Sequence, residues 1–138
     1  MQKGILMNSG IIPASWSGIV LSALRIITGL LFLAHGTVKL FGWPIAMDWF
    51  KDLQLFSLMG LAGVLEVVGG ILIVLGLFTR YTAFILSGMM AVAYFMAHAG
   101  QGFWPIANQG ELAIMFCFVF LYLAAAGGGP LSLDAKRA

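Results

Sequence analysis

The stretch Leu24 to Pro44, LRIITGLLFLAHGTVKLFGWP, constrains this chain more than any other. It is apolar enough to enter a bilayer, yet it carries Arg25, His35 and Lys39. At the helical period, Arg25, Gly29, Phe32, Gly36 and Lys39 fall within about 40° of one line, with His35 flanking it. Lipid tails cannot solvate such groups, so this face must look toward other protein or a wet cavity. The rest of the chain is what covers it.

Composition fixes the class. The 138 residues are 62% hydrophobic and only 9% charged. Soluble domains carry about 25% charged residues, so the chain reads as an integral membrane protein. A spanning helix needs about 20 residues, which leaves room for four spans in one domain, 1–138. The net charge of +2, without a basic tract, gives no reason to expect nucleic acid. The one cysteine, Cys117, excludes an internal disulfide and a CxxC exchange pair. The N-terminal MQKGILMNSGIIPASW is broken by Asn8, Ser9, Gly10 and Pro13, a poor signal-peptide core; the first long apolar run is expected to remain as a span.

The expected spans are 18–41, 58–78, 81–99 and 110–126. Pro44 helps to end the first. The aromatic and charged residues from Trp43 to Phe56 read either as a short interfacial helix between spans one and two or as an ordered loop. Span two carries one acid, Glu66, with Gly63 and Gly70 on its face, small enough for another helix to approach. A mid-helix carboxylate costs about 3 kcal/mol on the insertion scale, which a dozen large apolar residues outweigh. Span three carries Tyr94 and His98, and span four opens with Glu111 and stops at the Gly127–Pro130 run. The fold expected is an all-α, four-helix transmembrane bundle. Counting Lys3, Arg80, Lys136 and Arg137 against Lys39 and Lys51 places both termini in the cytoplasm.

Depth then brings polar groups together. His35, Lys39, Glu66, His98 and Glu111 can converge from four helices in the outer half of the bundle, with Tyr94 and Asn108 in reach. A structural reading makes these ion pairs: Lys39 with Glu111, and Arg25 with Glu66 or Asp134. A functional reading makes them a ligand or proton site, because intramembrane ionisable groups commonly mark one. Two histidines with Glu111 lack metal-ligand spacing, so no metal is expected.

Three pieces of sequence, LRIITGLLFLAHGTVKLFG, LEVVGGILIVLGLFTR and NQGELAIMFCFVFLYLAAAGGGPLSLD, flank a histidine-bearing third span. Together they resemble the DoxX family of small four-helix bacterial membrane proteins. The recurrent polar positions of the family map onto Arg25, His35, Lys39, Glu66, Arg80, Glu111 and Asp134. The resemblance implies an inner-membrane protein and links to quinone-reducing thiosulfate oxidation and other redox complexes. More distantly it reaches the surfeit-locus cargo receptors, which are not enzymes.

The leading expectation is a subunit of a quinone-linked redox complex, with quinone as ligand and no intrinsic cofactor. His35 and Glu111 would handle protons, tuned by Lys39 and Glu66. Without a redox motif in the sequence, electron transfer needs a membrane partner protein. The rival expectations are a small proton-coupled transporter or a lipid- or solute-binding protein, either as a homo-oligomer, and a non-catalytic assembly factor with a structural polar core.

Overall fold

Many large apolar side chains face outward in this protein, while several polar ones are buried beside its apolar core. Leu30, Leu31, Leu61, Leu65, Val68, Phe84, Ile85 and Phe118 are exposed, while Ser22, Arg25, Thr28, Glu66 and Ser87 are buried. That inversion suits a molecule whose solvent is hydrocarbon. The computed structural model describes residues 10–138; Lys3 and the first residues of the N-terminal segment lie outside them.

Among the described residues the chain is all-α. Its four long helices are α1 (Ser17–Phe41), α2 (Leu58–Leu75), α3 (Thr79–Ala97) and α4 (Glu111–Ala126). The stretches Ala14–Phe41, Leu58–Leu75 and Thr79–Gln101 are long and apolar enough to cross a membrane. Glu111–Ala126 is apolar but shorter, at 16 residues.

The boundaries have local causes. Gly42, at φ 62°, adopts the left-handed turn that stops α1, and Pro44 follows. Ser57 caps α2, its hydroxyl accepting the Gly60 N–H at 3.1 Å. Gly76, at φ 67°, ends α2 at Leu75, earlier than the apolar run alone suggests. In the 42–57 connection the structure has a 3-10 turn, Asp48–Phe50, in place of the short interfacial helix that was one expectation. Between α3 and α4 lie a 3-10 turn, Ala99–Gln101, and a one-turn helix, Pro105–Asn108; a short helix, Leu133–Arg137, follows α4.

The helices pack as two antiparallel pairs, α1 with α2 and α3 with α4. The first pair meets backbone to backbone. A Cβ on Gly36 would sit 2.8 Å from the Val67 nitrogen, and one on Gly70 would sit 2.9 Å from the Leu33 Cα. The second pair is tied by the Ser87 hydroxyl, which donates to the Cys117 carbonyl at 2.7 Å. Between the pairs stands an aromatic cluster. Phe32 of α1 meets Phe116 and Phe120 of α4 edge-on, at centroid distances of 5.3 and 4.9 Å. Ile73, Leu86, Met90 and Leu123 complete this core.

Candidate functional site

The close approach of α1 and α2 decides which charges meet. Gly36 and Gly63 flank the crossing: a Cβ on Gly36 would touch Glu66, and one on Gly63 would touch Leu40 and Lys39. The two backbones therefore bring Lys39 and Glu66 face to face. Lys39 Nζ donates to Glu66 Oε1 at 2.6 Å. This is the only salt bridge among the described residues, with side-chain exposures of 17% and 5%. Both the Lys39–Glu111 and Arg25–Glu66 pairings are thus corrected.

The pair is incompletely satisfied. Glu66 Oε2 is buried without a hydrogen-bond partner among the described residues. An ammonium has three N–H donors, and Lys39 uses one of them, on Glu66. A buried carboxylate oxygen without a partner costs free energy, so the site can take one more donor and one or two more acceptors. His35 lies one turn before Lys39, exposed, with its ring edge on Phe116 at 5.9 Å.

Other expected members lie apart from this pair. Tyr94, His98 and Asn108 form a separate node at the α3–α4 connection. Asn108 is fully buried; its amide donates to the Tyr94 hydroxyl at 3.2 Å and to the Gly102 carbonyl at 2.9 Å, and its Oδ1 accepts the Gly110 N–H at 2.8 Å. His98 Nδ1–H donates to the Asn108 carbonyl at 3.0 Å, which fixes its tautomer. This node folds the connection into shape. Glu111 is exposed and makes no hydrogen bond or ion pair among the described residues. As the first residue of α4 it sits at the positive end of the helix dipole, a favourable place for an acid without a cationic partner. The convergence of five ionisable groups is therefore reduced to Lys39 and Glu66, with His35 beside them.

The opposite end is a clasp that sequence reasoning missed. Arg25, fully buried, donates to the carbonyls of Gly128, Leu131 (2.8 Å) and Val74 (3.3 Å), not to an acid. Ser22 Oγ accepts the Leu131 N–H at 3.1 Å. Asp134 accepts the N–H groups of Phe78 and Thr79, each at 2.8 Å, and its own N–H donates to Gly76 O at 2.9 Å. Burial pushes the Asp134 carboxyl up, but the bonds from Thr79 and Phe78 and the nearby Arg137 outweigh this and hold it below its ordinary value. Arg80 donates to the carbonyls of Ala124, Ala125 and Ala126, closing the end of α4. The signal available in advance was the GGGPLSLD segment, whose glycines allow it to lie against Ser22 and Thr79.

Two open clefts lie at the ends of the bundle. One, of about 390 Å³, lies between the end of α1 and the 46–51 segment and has Lys39 in its wall. The other borders the clasp. No group of three metal-ligating side chains occurs among the described residues.

Comparison with known proteins follows the same residues. The sequence model of the DoxX family matches residues 20–99, which include Arg25, His35, Lys39, Glu66 and Arg80. A Haemophilus influenzae protein of uncharacterized function is 48% identical over 84% of this chain and 89% of its own length. A Bacillus subtilis protein named "Putative oxidoreductase CatD" is 30% identical over 80% of this chain and 81% of its own. No solved structure matches.

Proposed function

The chain belongs to the DoxX family, and from that premise we propose that it is the membrane subunit of a quinone-linked redox system, holding a quinone head group at Lys39 and Glu66. The observation that carries this reading is the half-satisfied pair: a buried carboxylate oxygen without a donor beside an ammonium with N–H groups to spare. A quinone head offers carbonyl oxygens when oxidised and hydroxyls when reduced, and this pair can meet both. When bound, the quinone supplies two-electron, two-proton redox chemistry. Lys39 would donate to a carbonyl oxygen, Glu66 would accept from a hydroxyl and hold its proton, and His35 would exchange protons with the surface. Electrons would come from a partner protein. The relative named as an oxidoreductase supports the same class.

In this reading α4 is the fourth span. It packs antiparallel along α3, and at 1.5 Å per residue it covers about 24 Å. Both ends of the chain then share one side. Arg80, Lys136 and Arg137 support assigning that side to the cytoplasm of a bacterial inner membrane.

The test is mass spectrometry of the organic extract of detergent-purified protein. A stoichiometric quinone in wild type, retained in Glu111→Gln and lost in an equally folded Glu66→Gln, is the expected result. No quinone retained, together with no effect of the protein on quinol oxidation by candidate partners, sinks the reading.

A further inference from the structure

The cleft beside Lys39 has a second set of charges. Lys39 stands in its wall, while Asp48 and Lys51, from the 3-10 turn and its cap, also line it. Phe41, Met47 and Phe50 supply apolar surface around them. Lys39 therefore holds Glu66 with its ammonium while forming part of the cleft wall. The formal charges cancel. In the lining, Lys39 and Lys51 bring +2 and Asp48 brings −1, and Glu66, outside the lining but bonded to Lys39, brings the remaining −1, so the site with its ion pair offers no net attraction to an anion. What it offers is directed hydrogen bonding beside an apolar lining, at the end of a helix whose mid-portion is lined outside by lipid-facing side chains. Ligand sites generally have this character, apolar walls with a few placed polar groups.

We propose that this cleft is the entry and head-group site for an uncharged amphiphile with hydrogen-bonding oxygens, which slips in from the membrane boundary between α1 and the 46–51 segment. Its apolar body lies along Phe41, Met47 and Phe50, and its head reaches the spare N–H groups of Lys39. The inference rests on the quinone reading for the chemistry of the head and adds the route and the selection of uncharged over anionic ligands. Ala46, small and on the cleft wall, is the position where a larger side chain blocks the route without touching the ion pair.

The experiment is a binding titration of the detergent-purified full chain, with decyl-benzoquinone and decyl phosphate as probes. Tryptophan quenching reports quinone binding, since Trp43 precedes and Trp49 lies within the 46–51 segment that forms the cleft; decyl phosphate is read by competition. Decyl-benzoquinone is expected to bind at least tenfold more tightly than decyl phosphate. Ala46→Phe should weaken it at least tenfold, with Ala46→Ser and circular dichroism as controls for folding. Equal or tighter binding of decyl phosphate overturns the selection of uncharged heads. Unchanged affinity in folded Ala46→Phe overturns the route, and the quinone reading still stands if the purified protein retains its quinone. No binding of decyl-benzoquinone by wild type, with no quinone in the extract, removes both.

Discussion

The two ends of the bundle use charge in opposite ways. At the clasp, the side-chain charges of Arg25, Arg80 and Asp134 are spent on backbone groups: carbonyls for the arginines, N–H groups for the aspartate. At the other end, Lys39 and Glu66 hold each other and leave donors and an acceptor over. Backbone partners cannot leave, so the clasp is architecture. A side-chain pair with spare valences can be re-partnered, so it is the end suited to a ligand. A buried charge in a membrane protein is therefore read best by what it bonds to.

The largest expected effect tests the clasp. Arg25→Met leaves the carbonyls of Gly128 and Leu131 without their donor, and unpaired buried acceptors cost about 1–3 kcal/mol each. A loss of roughly 3–5 kcal/mol is expected in reversible detergent unfolding. A loss below about 1 kcal/mol would mean water replaces the guanidinium and the contrast between the ends is false.

The next tests the crossing that sets the pair. Gly36→Leu forces α1 away from the Val67 backbone and should cost about 1–3 kcal/mol, as overpacking does. It should also weaken quinone binding, because the Lys39–Glu66 contact depends on that approach. Full binding with lowered stability would uncouple the site from the crossing.

The double change Lys39→Met with Glu66→Leu sharpens the comparison most. Replacing a buried ion pair with apolar residues is often neutral or stabilising, so the unfolding midpoint should hold or rise while quinone binding falls at least tenfold. A collapse of stability like that of Arg25→Met would make both ends architecture.

The smallest effect is one of pH. The Asp134 carboxyl is held below its ordinary value in the folded protein. Its contribution is therefore present above the unfolded value, about 3.9, and is lost as pH falls through the lower folded one. Asp134→Asn should remove that part of the acid-side loss, visible as a shallower decline of the unfolding midpoint below about pH 4. An unchanged acid profile would remove Asp134 from the clasp.

The helices were legible because apolar runs and their glycine and proline stops are local properties. Gly42, Gly76 and Ser57 mark ends that composition alone blurs by a few residues. The face carrying Arg25 and Lys39 was legible from helical period. Their partners were not, since period says which way a side chain points and leaves open what stands there. Lys39 meets Glu66 because glycines at 36 and 63 bring two backbones together, a pairwise fact. Arg25 meets carbonyls, which every residue has, so nothing in the residue types of the tail marks them as acceptors. Glu111 looked like a cluster member because its depth fitted, but a helix start satisfies an acid on its own.

The clasp also sets an order of events during synthesis. The acceptors of Arg25 at Gly128 and Leu131 lie 103 and 106 residues downstream of it. While the ribosome is still making α3, the first helix is already at the membrane with a guanidinium that has met Val74 of α2 but whose acceptors at Gly128 and Leu131 do not yet exist. That charge must be tolerated by the insertion machinery, by water or by a chaperone until the segment after α4 emerges. The first helix is thus in place before two of the three acceptors of its arginine have been made.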